Sequence, residues 1–175
     1  MKKNILFVFL FLILGIAVIG GATYFINNGK FEKNSHVTLP KEHFETGDAM
    51  YVGYEFSWKG SGYPTLQQVE FIKKDGKSLT QEDAFLIVAF IDETTDGNAI
   101  GSANEETVNE SGLKERLVPI NNYKLTSDTF RMVLQVHYDG DRATDDISDM
   151  KITYKKFGVT KTETIPFGGI LHEQE

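Results

Sequence analysis

Ala84-Phe85-Leu86-Ile87-Val88-Ala89-Phe90-Ile91 is apolar at every position, and whether it forms a helix or a strand decides the fold of the chain. Periodicity does not separate the two, because an unbroken apolar octet suits a buried strand and a buried helix alike. Composition does. Phe, Ile and Val dominate, and branched and aromatic side chains fit a pleated surface better than a helical turn. We read 84–91 as a strand. An antiparallel sheet commonly buries one face and wets the other, which puts Phe85, Ile87, Ala89 and Ile91 in the core and turns Leu86, Val88 and Phe90 outward. Fully burying each of those three contributes about 1.5–3 kcal/mol, so a cover is expected. It is either the chain's own connection over residues 92–116 or a protein partner, a second copy included. Leu86, Val88 and Phe90 are the candidate partner-binding residues.

The segments on either side agree with a strand. Phe130, Met132, Leu134, Val136 and Tyr138 alternate with Arg131, Val133, Gln135 and His137, and Val52, Tyr54, Phe56 and Trp58 alternate with Tyr51, Gly53, Glu55 and Ser57. A period of two marks half-buried strands. Residues 68–74 form another, closed by the turn Asp75-Gly76, and 113–120 holds a strand whose Pro119 suits a sheet edge. Residues 150–157 and 159–167 meet at Phe157-Gly158 as a terminal hairpin. Ser102-Ala103-Asn104-Glu105 has capping-box spacing for a short helix ending near Gly112. The sum predicts an all-β fold, an antiparallel β-sandwich. Residues 123–130, entering a long strand, resemble the approach to strand F of immunoglobulin-like domains, which implies an immunoglobulin-like variant without that family's Cys and core-Trp markers.

Residues 5–26 are a second unbroken apolar run, 22 positions without a charge. As a helix the run covers about 33 Å, enough for a hydrocarbon core of about 30 Å. We expect a single transmembrane anchor. The tail 1–4 carries Lys2 and Lys3 and belongs in the cytoplasm by the positive-inside bias. Residues 27–45 read as a linker, and 46–175 as one extracytoplasmic domain. The alternative is a signal peptide cut after Ala22, giving a secreted protein. A Lys-rich start and a cysteine-free exported domain resemble surface proteins of Gram-positive bacteria. Without Lys2 and Lys3, 16 basic residues face 25 acidic ones, a net −9 that argues against a nucleic-acid partner. The chain has no cysteine, which excludes disulfides, thiolate metal sites and a Cys nucleophile.

Chemistry-bearing residues are few. Asp139, Asp141, Asp145, Asp146 and Asp149 crowd one loop and form a candidate Ca²⁺ site, since hard cations take six to eight oxygen ligands. Its neighbourhood depends on strand parity: residues 92, 93 and 96 join it only if strands 84–91 and 129–138 run the same way. Trp58 and Tyr63 flank a Gly-rich loop and could stack on carbohydrate, although Trp58 lies on the inward register. Lys151, Lys155, Lys156 and Lys161 decorate the hairpin and are expected to protect an edge. His36, His43, His137 and His172 lack ligand spacing. Ser111 and Lys114 match the Ser-x-x-Lys of penicillin-binding proteins and β-lactamases, but the later motifs break at their last residues and the helical core is missing. We assign no catalytic residue and no cofactor beyond the Ca²⁺ candidate. The expected function is a membrane-anchored interaction or regulatory module, ahead of a Ca²⁺- or carbohydrate-binding domain and, last, a small hydrolase.

Overall fold

The computed structural model describes residues 2–44, 47–93, 100–139 and 146–172. Helix α1 (Lys2–Asn27) is followed by strands β1 (Lys30–Lys33), β2 (Met50–Lys59), β3 (Thr65–Lys73), β4 (Phe85–Asp92) and β5 (Ser102–Asn104). After a short helix α2 (Glu105–Glu110) come β6 (Leu117–Pro119), β7 (Tyr123–Lys124), β8 (Thr129–Tyr138), β9 (Ile147–Lys156) and β10 (Val159–Pro166). They form two antiparallel sheets: β1-β2-β8-β4-β6 with β5 also on β2, and β10-β9-β3-β7. The two strongest alternating segments, β2 and β8, lie side by side at the centre of the first sheet. Their register sets Val52 opposite Leu134 and Tyr54 opposite Met132, so both apolar rows face one way.

The apolar octet is β4, with the facing expected of it. Phe85 and Ile91 are buried, and Ile87 and Ala89 pack against the same core. The second sheet supplies Leu66, Phe71, Met150, Ile152, Tyr154 and Ile165 to that core. Rings meet across it: Phe31 and Tyr154 at 5.2 Å, Trp58 and Tyr154 at 5.6 Å, Tyr54 and Phe167 at 4.9 Å.

Residues 27–45 differ from the expected linker. Lys30–Lys33 extends the first sheet by pairing with the end of β2, and Phe31, Leu39 and Phe44 are core side chains. Leu39 also bridges Leu171. Period-two reading missed β1 because Lys30-Phe31-Glu32-Lys33 has one apolar residue, whose burial comes from distant Trp58 and Tyr154 rather than from a local pattern.

Local chemistry explains the connections. Phe157 and Gly158 have φ of 48° and 82°, the two left-handed positions of a primed turn whose twist matches a hairpin. Helix α2 starts one residue pair later than the Ser102 reading, because Asn104 is the cap, its side chain accepting from Thr107 N–H at 3.0 Å. Gly53 permits the chain before β5 to pass closely, since a Cβ there would lie 1.9 Å from the Ile100 carbonyl oxygen. β6, with Pro119, forms the edge beside β4.

Candidate functional site

The outer face of the first sheet divides into two halves. On β2 and β8, Tyr51 and Val133 are buried beneath Ile100 and Val108, with Ala103, Leu113 and Leu117 around them. Residues 100–113 of the connection therefore cover the β2 and β8 half, whereas the expectation concerned the β4 row. On β4, Leu86 and Val88 remain 48% and 42% exposed, and Phe90 is half-buried beside Pro119. Leu86 stands opposite His137 and Val88 opposite Gln135, so the exposed pair borders a polar row and not a second apolar one. Tyr51, whose hydroxyl meets Gln135, is held above its ordinary pKa by burial and secondarily by the Glu105 charge.

The acidic loop does not act as a unit among the described residues. Asp141 and Asp145 lie outside them. Asp146 is buried, and its carboxylate accepts from the backbone N–H groups of Ile147 at 2.7 Å, Ile170 at 2.8 Å and Leu171 at 3.3 Å. Asp149 accepts from the Ser148 hydroxyl at 2.7 Å. β4 and β8 pair antiparallel, so Asp92 and Glu93 leave the sheet at the end opposite Asp139. Among the described residues no three His, Asp or Glu side chains converge as metal ligands.

Trp58 and Tyr63 do not share a surface. Trp58 is buried against Phe31 and Tyr154, and its indole N–H donates to the Gly62 carbonyl at 2.8 Å, whereas Tyr63 is exposed. The ring face that sugar stacking requires is thus occupied by the core. Ser111 and Lys114 are also apart in function: the Ser111 hydroxyl donates to the Thr107 carbonyl, and Lys114 Nζ faces Asn109 at 3.5 Å and Glu105 at 4.0 Å.

The sequence reading missed the junction between helix and sheets. Lys156, taken as an edge guard, is buried, and its ammonium donates to the Asn28 carbonyl while lying over the rings of Trp58 at 5.2 Å and Phe157 at 5.4 Å. Burial, then the Lys161 charge, lowers its pKa. Register could have revealed it, since Ile152, Tyr154 and Lys156 occupy one face of β9. Lys161 donates to Asn27 Oδ1 at 2.8 Å, and Glu163 accepts from Phe31 N–H at 3.0 Å. Gly29, at φ 144°, gives Trp58 room: a Cβ there would stand 2.2 Å from the indole. On β1, Lys33 faces the rings of Phe167 at 4.1 Å and Tyr54 at 4.9 Å, and burial lowers its pKa to about 8.

These features define a protein of two antiparallel sheets led by an exposed apolar helix: none of Phe9–Asn27 is buried, and the segment is long and apolar enough to cross a membrane. Comparison with protein families, curated proteins and solved structures finds no match.

Proposed function

We propose that the chain is a membrane-anchored β-sandwich displayed outside the cytoplasm, serving as an interaction or regulatory module and not as an enzyme. The observation that carries this reading is the apolar helix itself. Its exposed side chains include Phe9, Leu10, Phe11, Leu12 and Ile13, which water solvates poorly and a hydrocarbon core would cover. Tyr24 and Phe25 sit at its C-terminal end, where an interfacial aromatic belt lies. The contact surface of the module is the uncovered half of the outer face, centred on Leu86 and Val88, and its ligand is a protein.

A photo-crosslinking residue at Val88 in the full chain, expressed in cells, tests the contact. A discrete adduct at Val88 that is lost in a Leu86→Ser background, and is not formed from Lys77 on a remote turn, is the expected result. No adduct, or the same adducts from both positions, contradicts the proposed surface.

A further inference from the structure

Only Asn28 and Gly29 separate the last residue of α1 from the first of β1. Three Cα steps reach at most about 11 Å, so this end of the sheet pair sits close to wherever the helix ends. The junction is also tied, by Lys156 to the Asn28 carbonyl and by Lys161 to Asn27. Beside it are three exposed side chains of the kind that water does not favour. Phe157 at the hairpin tip is 59% exposed, Val159 follows it, and Tyr63 projects from the neighbouring loop. The Phe157 ring lies against Gly62, where a Cβ would come within 2.9 Å, which joins tip and loop into one surface.

Two features set this surface apart from scattered apolar residues. Phe157 occupies a left-handed backbone position at φ 48°, where hairpins favour Asn, Asp or Gly. The sequence thus accepts a conformational cost and leaves an aromatic ring uncovered. The charge is also inverted locally. In a domain of net −9, the strand ends here carry Lys30, Lys59, Lys124, Lys155 and Lys161 against Asp128, Glu32 and Glu163, with Glu32 paired to Lys30 at 2.5 Å and the Lys156 ammonium buried on the Asn28 carbonyl. Asp92 and Glu93 leave β4 at this same strand end of the first sheet, but two strands away from β2 in the order β1-β2-β8-β4-β6. Aromatics with adjacent lysines are what a water–lipid boundary selects, rings at headgroup depth and ammoniums on anionic headgroups.

We propose that the β9–β10 hairpin tip and the 60–64 loop seat in the headgroup layer of the bilayer crossed by α1, with Phe157 and Tyr63 as the inserted rings. This inference rests on α1 being a membrane anchor. It makes the domain a rigid pedestal instead of a module on a swinging tether. Leu86, opposite His137, is eight residues along β8 from Thr129, so the exposed apolar pair would be held about 25 Å above the seated end.

The absence of cysteine makes single-site labelling unambiguous. The full chain, carrying Ile13→Cys, Val159→Cys or Lys77→Cys with a fluorophore, is reconstituted in nanodiscs of zwitterionic and anionic phospholipid. Some of the lipid bears a nitroxide, either near the headgroup or near the chain end. Expected are quenching of the Ile13→Cys label by the deep nitroxide, quenching of the Val159→Cys label by the shallow one, and none at Lys77→Cys. Adding Phe157→Asn with Tyr63→Ser should abolish the shallow quenching. Deep quenching at Ile13→Cys with Val159→Cys no different from Lys77→Cys overturns the seating and leaves the anchor standing. Shallow quenching that survives Phe157→Asn with Tyr63→Ser reflects tether length alone and also overturns it. No quenching at Ile13→Cys overturns both.

Discussion

Among the described residues, the end of the domain nearest α1 buries the Lys156 ammonium among aromatic rings, whereas the opposite end buries the Asp146 carboxylate. Near the helix, Lys156 lies over Trp58 and Phe157 and donates to a backbone carbonyl. At the far end, Asp146 gathers three backbone N–H groups and fastens residues 170 and 171 to the start of β9. There too Asp83 binds Lys73 at 2.6 Å and accepts from Thr80 N–H at 2.7 Å and its hydroxyl at 2.8 Å. A cation can be satisfied by ring faces and a carbonyl in a site from which water is partly excluded; a carboxylate needs donors, which turn backbones supply. Each end is thus closed by a buried charged group whose partners lie within the chain.

The largest effects should fall on the two groups that organise these ends. Trp58→Ala removes the ring that fills the near end, and about 3–5 kcal/mol of stability should be lost in urea unfolding. Asp146→Ala leaves three buried donors without their acceptor, at about 3 kcal/mol, and hydrogen exchange should rise first at residues 147, 170 and 171. A smaller loss confined to the C-terminal segment would show that water replaces the carboxylate there.

Acid should separate the ends without any mutation. Asp83 is held at about pKa 2 by Lys73 first and Thr80 next, so its contribution is present above the usual carboxylate pKa and lost as pH falls from about 4 toward 2. Glu163 has the opposite sign. Burial raises its pKa, so the folded state binds the proton more tightly and this group's contribution falls as pH rises through the carboxylate range. Lowering pH from 5 to about 3 should thus speed exchange around residues 79–83 before residues 30–33, with an Asp83 contribution of about 1 kcal/mol after allowance for solvent at the pair. Simultaneous loss at both ends would erase the contrast. The smallest effect is a gain: Phe157→Asn relieves the left-handed aromatic and should add up to about 1 kcal/mol to the fold.

Much of this architecture is legible in the sequence, and the gaps have physical causes. The alternating rows of β2 and β8 and the tight hairpin turn give themselves away locally, because each side chain's facing is set by strand period and turn chemistry. The facing of β4 follows once it is taken as a strand. β1 is hidden because Phe31 is buried by residues 27 and 123 positions away, Trp58 and Tyr154. Asp146 is disguised by the acidic run around it, which reads as a candidate Ca²⁺ loop, while its use is fixed by the return of residues 170 and 171. The outer face was legible as a question only: the sequence shows that Leu86, Val88 and Phe90 lack a local partner, but the half covered by Ile100 and Val108 emerges only when the connection is seen to cross to β5.

The central claim is that α1 anchors the chain with its sheets outside the cytoplasm, and a membrane-impermeant maleimide on intact cells tests it most directly. The account predicts that Lys77→Cys is labelled without lysis, that Asn4→Cys is labelled only after permeabilisation, and that the labelled chain sediments with membranes at full length. Lys77→Cys silent until lysis, or a soluble labelled chain beginning at Thr23, would contradict it.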